Sequence, residues 1–328
     1  MGMTIIPPEG KRGKEETWGA DDEIKTIWHC DMTLTSEEGS LIIKAGEEKI
    51  PVSSLLPSDY SGELEQIREE LDKIVGLTKI KEYIYSLEEY YGVQKKRSEA
   101  GLKAGEVNKH MIFTGNPGTG KTTIARIVSK YLKAIGVLTG GQLVEVSRAD
   151  LVGRYAGHTA PLVNQVIKSA LGGVLFIDEA YSLNHGNDDS FGLEAIDTLV
   201  KGIEDNRDNL IVILAGYSNE MEGFLETNSG LKSRFPNIID FPDYTGEELL
   251  KIADITASSK GYVIDESAKD SLLTYFNFVQ ATRAMDAGNG RLVRNKIEEA
   301  ILNQSRRLVA EPEEDMSLLK IADFDLEK

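Results

Sequence analysis

The stretch Gly115-Asn116-Pro117-Gly118-Thr119-Gly120-Lys121-Thr122 brings three kinds of chemistry together at fixed spacing. Its glycines let backbone N–H groups turn inward and approach an anion closely, its lysine supplies a mobile positive charge, and its hydroxyl can reach a divalent cation. The pattern suits a polyphosphate with Mg²⁺, with Lys121 meeting the outer phosphates and Thr122 the metal. A glycine-rich turn that merely joins two elements is the plain alternative, and the flanking sequence argues against it. His110-Met111-Ile112-Phe113-Thr114 is an apolar run of strand length, and beyond the loop Ile124, Ile127, Val128, Tyr131, Leu132 and Ile135 recur at helical spacing. The loop is therefore expected between a strand and a helix N-terminus, where free amides and the helix dipole favour negative charge.

Val174-Leu175-Phe176-Ile177-Asp178-Glu179 is an apolar run ending in two acids. In a sheet that also carries the glycine-rich loop, both carboxylates would reach the C-terminal strand edge beside the phosphates. Asp178 is expected to hold Mg²⁺, directly or through water, and Glu179 to orient and deprotonate the attacking water. Alone, such a pair is more often a solvated strand end; the loop gives it a role. Phosphoryl transfer also calls for an arginine near the γ-phosphate. Arg234, in Gly230-Leu231-Lys232-Ser233-Arg234-Phe235, and Arg291, in Gly288-Asn289-Gly290-Arg291-Leu292-Val293-Arg294, both qualify, and a surface ion pair is the alternative for each. Spacing alone does not separate them.

These residues need a sheet to position them. Further apolar runs at 142–146, 210–214 and 237–241, separated by amphipathic segments such as Leu193, Ile196, Leu199, Val200 and Ile203, alternate strand with helix. The expected fold is α/β, a P-loop NTPase parallel sheet with helices on both faces. Residues 61–242 form that large subdomain, opened by a helix through Leu64, Ile67, Leu71 and Ile74 and a second through Ile80, Ile84, Leu87 and Tyr91. Beyond Pro242 the pattern is helical: Thr245-Gly246-Glu247-Glu248 is a capping box opening a helix to about Lys260, and segments near 265–283 and 290–308 follow before a short acidic tail. Residues 243–328 are thus expected as an all-helical lid. Residues 1–60 differ in texture and are expected as an N-terminal arm or small β-rich module. Its first twenty or so residues are expected to be disordered, with short strands at 24–28, 41–44 and 48–52 around an Ala45-Gly46 turn.

With 37 basic against 54 acidic residues the formal net charge is -17, which disfavours a duplex nucleic-acid footprint. Cys30 is the sole cysteine, so no intramolecular disulfide can form, and a reducing compartment, the cytoplasm, is the expectation. No stretch approaches a membrane span in length.

Together the glycine-rich loop, Asp178-Glu179, the Ser-Arg-Phe segment and the late Gly-x-x-Arg resemble an AAA+ ATPase. More narrowly, Phe176-Ile177-Asp178-Glu179-Ala180-Tyr181-Ser182-Leu183, Leu214-Ala215-Gly216-Tyr217 and Asp240-Phe241-Pro242-Asp243-Tyr244 are similar to the group of stage V sporulation protein K and red-type Rubisco activase, over residues 63 to 325. The resemblance implies ATP and Mg²⁺ as cofactors, held by Gly115 through Thr123, Asp178 and Arg291, with Val75-Gly76-Leu77 near the adenine. It implies catalytic roles for Lys121, Glu179, Arg234 and Arg291. Arg234 would act as an arginine finger on a neighbouring subunit of a ring, usually a hexamer, and Arg291 as the lid residue that contacts the γ-phosphate, with Arg294 a second candidate. Tyr155-Ala156-Gly157 matches the pore loop by which ring translocases grip an extended polypeptide, and His158 reads as a local hydrogen-bonding residue. The polar residue expected after the strand 210–214 is unassigned, with Ser218 and Asn219 as candidates. The implied partners are further copies of the chain and a protein substrate. A nucleic-acid remodeller such as a helicase loader, and a nucleotide-gated scaffold, are the alternatives.

Overall fold

The computed structural model describes residues 15–18, 25–28, 32–37, 40–45, 48–51 and 60–326, apart from 104, 106–107, 185–188 and 283–287. The chain divides into two compact units, Met1–Glu63 and Leu64–Lys328. In the first, β1 (Glu15–Trp18) pairs antiparallel with β2 (Lys25–Trp28), and β3 (Met32–Glu37), β4 (Ser40–Ala45) and β5 (Glu48–Pro51) form an antiparallel three-stranded sheet. The strands expected at 24–28, 41–44 and 48–52 correspond to β2, β4 and β5, whereas β1 and β3 were not anticipated. The expectation of disorder over the first twenty residues falls mostly outside the described residues; of these twenty only Glu15–Trp18 are described, and they form β1. Gly46, of the expected turn, also lies outside them.

Helices α1 (Tyr60–Asp72) and α2 (Thr78–Glu99) precede a five-stranded parallel sheet. Its strands are β6 (Met111–Gly115), β7 (Leu143–Val146), β8 (Val174–Ile177), β9 (Ile211–Gly216) and β10 (Asn237–Phe241), in the order β10-β6-β9-β8-β7. Three of these strands, β6, β8 and β9, are buried along their whole length, and burial on both faces explains why β8 and β9 carry no polar side chain. Met111, Phe113, Phe176, Ile211 and Ile213 enter one core with Ile124, Val128 and Tyr131 of α3 (Lys121–Ala134). The alternate residues Ile112, Leu175, Ile177, Val212 and Leu214 enter a second core. They meet Val163 and Ile167 of α5 (Thr159–Ala170) and Ile196 and Leu199 of α6 (Ser190–Asp205) there, while α4 (Arg148–Leu151) covers the end of β7.

After β9 come α7 (Ser218–Glu226) and α8 (Ser229–Arg234), and after β10 the lid: α9 (Gly246–Ser259), α10 (Glu266–Thr282) and α11 (Asn289–Ala310). The capping box is present, with the Glu248 amide donating to Thr245 Oγ1 at 3.2 Å and the Thr245 amide donating to Glu248 Oε2 at 2.8 Å. Two details were not readable in the sequence. A two-residue parallel bridge joins β11 (Val263–Ile264) to β12 (Leu318–Leu319). The segment expected as an acidic tail is packed, with Leu319, Asp323 and Phe324 buried. Asp323 receives two hydrogen bonds from Arg307 of α11, both at 2.8 Å, so its charge is compensated inside the lid rather than by solvent. No helix among the described residues is long and apolar enough to cross a membrane.

Candidate active site

Parallel strands deliver the loops after β6, β8 and β9 to one sheet edge, and a cleft of about 700 Å³ opens there. Pro117, Gly118, Gly120, Lys121, Thr122 and Thr123 form its floor, Asp178 and Glu179 one side, and Arg291 and Arg294 of α11 the lid side. Ile74, Val75 and Leu77 with Ile252 and Ile255 of α9 make an apolar wall that suits a flat aromatic ring. Gly118 and Gly120 take left-handed conformations, φ 75° and 97°. A Cβ on Gly118 would stand 2.2 Å from the Gly288 carbonyl oxygen, so only glycine lets the loop lie against the start of α11.

The Lys121 ammonium folds back to donate to the Gly115 carbonyl at 2.7 Å and the Asn116 carbonyl at 2.9 Å. Burial pulls its pKa below the usual lysine range, and nearby Arg291 adds to this against the opposing pull of Asp178, Asp243 and Glu179. A lysine so placed favours an incoming anion. Asp178 accepts from the Glu179 amide at 3.0 Å, and Glu179 sits at φ 47°, a left-handed conformation that a glutamate rarely holds. That backbone turn brings both carboxylates to the cleft in succession. Arg148 braces the following turn, Ala180–Leu183, by donating to the Ser182 carbonyl at 2.8 Å while pairing with Asp189 at 2.7 Å. Among the described residues no group of three His, Cys, Asp or Glu side chains could hold a metal. The donor set fits Mg²⁺ nonetheless, because that ion takes one or two protein oxygens, here Thr122 and Asp178, and completes its shell with phosphate oxygens and water.

Other expected site residues lie elsewhere. Gly115, Asn116 and Thr119 stand behind the cleft lining: a Cβ on Gly115 would meet the Phe241 carbonyl at 2.3 Å, Asn116 donates to Asp243, and buried Thr119 donates to the Asn116 carbonyl at 2.9 Å. Gly76, at φ 65°, packs against Glu248 and Tyr244 and carries the backbone past the cleft. Arg234 is not in the cleft. It precedes β10 at the N-terminal edge of the sheet, where it pairs with Glu204 at 3.2 Å and lines a second cavity with His110. Tyr155 is 68% exposed in the loop before α5, its ring edge-on to His158 at 5.6 Å, and Gly157 follows at φ 81°. Tyr217, rather than Ser218 or Asn219, faces the cleft from the end of β9, stacked on Tyr181 at 5.7 Å. Sequence spacing offered no signal for Tyr217, Arg148, Asp243 or Asn289, whose partners are remote along the chain.

The AAA family model, the ATPase family associated with various cellular activities, matches residues 111–243, and the AAA lid domain matches 245–328. Stage V sporulation protein K of Bacillus subtilis is 45% identical over 82% of this chain and 87% of its own length. Protein CbbX of Cereibacter sphaeroides is 42% identical over 79% and 84%. ESX-1 secretion system protein EccA1 of Mycobacterium tuberculosis is 41% identical, but the match covers 82% of this chain and 47% of that protein. A solved structure of the Thermotoga maritima RuvB Holliday junction branch migration motor superposes over 77% of this chain and 68% of its own, with TM-score 0.52 at 22% identity, a likeness of fold. The chain belongs to the AAA family of ATPases, binds nucleotide and hydrolyses ATP, and closes its parallel-sheet domain with that family's helical lid.

Proposed function

We propose that the chain couples Mg²⁺-dependent ATP hydrolysis to remodelling of a protein substrate as a ring, a hexamer, in which neighbouring subunits complete one another's sites. The observation that carries this is the position of Arg234 at the sheet edge opposite its own cleft. A five-residue strand such as β10 spans about 17 Å, beyond an arginine's reach, so the cation serves a site other than its own. Within one subunit Lys121 draws in the β- and γ-phosphates, Thr122 and Asp178 would hold Mg²⁺, Glu179 takes the proton of the attacking water, and Arg291 reaches the γ-phosphate from the lid. Mg²⁺, when bound, neutralises charge that develops on the phosphate oxygens.

The exposed Tyr155 with Ala156 and Gly157 offers a ring pore an aromatic grip on an extended polypeptide, largely independent of its sequence. We assign residues 61–242 to the motor, 243–328 to the lid and 1–60 to an appended β-rich module, in the cytoplasm. Relatives named for sporulation and for a secretion system fit a common motor serving different clients.

Mixing variants tests the ring. Arg234→Ala and Lys121→Ala should each abolish hydrolysis, the first by about 10³-fold or more. A mixture should recover part of the rate, because an intact cleft then meets an intact arginine. Turnover by Arg234→Ala within a few-fold of wild type, or a mixture no faster than its parts, would overturn the reading.

A further inference from the structure

Asn289 is the first residue of α11 and is fully buried, with 0% of its surface exposed. Its backbone stands at φ 45°, a left-handed conformation that asparagine tolerates better than most side chains. All its carboxamide bonds are made, and they divide by direction. Oδ1 accepts from the lid side: the Tyr244 amide at 3.0 Å and Gln280 Nε2 of α10 at 3.1 Å. Nδ2 donates toward the phosphate loop: to Asp243 Oδ1 at 2.7 Å and the Pro117 carbonyl at 3.3 Å. Asp243 in turn takes both bonds of Asn116 Nδ2, at 3.0 and 2.9 Å. One residue on, the Gly290 amide donates to the Gly118 carbonyl at 3.0 Å.

We propose that Asn289 is a positioning residue that couples occupancy of the phosphate loop to the placement of α11, and through α11 to Arg291. The inference rests on the nucleotide reading of the cleft given above. A carboxamide accepts at its oxygen and donates at its nitrogen from one planar group, so it can be held by the lid on one side and the loop on the other. Lys121 binds the carbonyls of Gly115 and Asn116, in the loop segment that Asn116 ties to Asp243. A polyphosphate that draws Lys121 off those carbonyls frees that segment to move. Asn116 and Pro117 then carry Asp243 and Asn289 with them, since a buried polar network that loses one bond leaves a desolvated group unpaired. Asn289 turns a local change at the phosphates into a displacement of the helix that bears Arg291.

The test uses the full chain with Cys30→Ala and a fluorophore pair at Lys168→Cys and Lys251→Cys, which report the distance between sheet domain and lid. ADP and a non-hydrolysable ATP analogue are the ligands. Asn289→Gly accepts the left-handed backbone and deletes the side chain with its carboxamide. It should bind both nucleotides within about threefold of the parent, lose at least half of the nucleotide-dependent change in transfer efficiency, and lower kcat about tenfold or more at similar KM. Asn289→Asp, which sets a second carboxylate against Asp243, should lose the response as well, and adding Asp243→Asn should restore part of it. Asn116→Ala cuts the same chain of bonds from the loop side and should also blunt the response, which keeps the test open if an Asn289 variant misfolds. A full lid response with unchanged kcat in Asn289→Gly or Asn116→Ala overturns the proposal. Nucleotide binding unaffected by Lys121→Ala would instead sink the reading of the cleft.

Discussion

Lys121 is bound at 2.7 Å to the carbonyl of Gly115, the last residue of the strand that delivers it. The ammonium thus holds the loop in shape when no phosphate competes, and burial lowers its pKa by disfavouring the charge. Polyphosphate supplies the compensating negative charge, so binding tightens the lysine's hold on its proton. Nucleotide affinity should therefore fall as pH rises toward the ordinary lysine range. Lys121→Arg should bind more weakly but lose that dependence, and Lys121→Ala should weaken binding about 100-fold or more, read by titration with a fluorescent nucleotide. A flat wild-type profile would contradict the argument.

Glu179→Gln should keep nucleotide binding and lower kcat by about 10²–10⁴-fold, the usual worth of a positioned base. The same variant, held with ATP, should retain a client protein that the added change Tyr155→Ala releases. Turnover within a few-fold of wild type removes Glu179 from the base role. Retention that ignores Tyr155, or retention of nucleic acid, removes the pore loop from substrate binding.

His110, immediately before β6, is 4% exposed, and its Nδ1 accepts from the Val212 amide of β9 at 3.1 Å. Burial, with smaller contributions from Lys109 and Arg234, pulls its pKa down to about 4. The unfolded chain takes up a proton near pH 6.5 and the folded chain only near 4, so stability is whole above 6.5 and falls by roughly 3 kcal/mol as pH drops between them. His110→Asn keeps an acceptor for Val212 and should flatten that decline in urea unfolding. An equally steep decline would place its origin elsewhere.

Asp323 and Arg307 form a pair with Asp323 only 1% exposed on its side chain. Removing one partner of a buried pair strands the other, at about 3–5 kcal/mol. Asp323→Ala should lower the unfolding midpoint markedly and raise protease sensitivity after Leu308. The exposed pair Lys73–Glu69 provides the contrast: Glu69→Ala should move stability by less than about 1 kcal/mol. Comparable effects in the two would refute the assignment of Asp323 to the lid core.

The phosphate loop, the acid pair and the parallel strands were readable in the chain because each is set by local chemistry. Glycine conformations, strand-end carboxylates and apolar runs of strands buried on both faces all lie within about ten residues. The helices after the loop and after Thr245 were readable for the same reason, through period and cap. Asn289 carried no such signal, since its partner Asp243 is 46 residues away and a polar residue beside two glycines resembles an ordinary turn. Asp323 was read only as part of a short acidic tail because its compensating Arg307 lies 16 residues back, on a helix face that only packing defines. Arg234 and Arg291 had equal claims by spacing, and strand direction separated them, by placing one at each edge of the sheet. Residue type and period set the chemistry and the elements, while the pairing of buried polar groups across elements was decided by tertiary packing, which alone brings remote donors and acceptors together out of water.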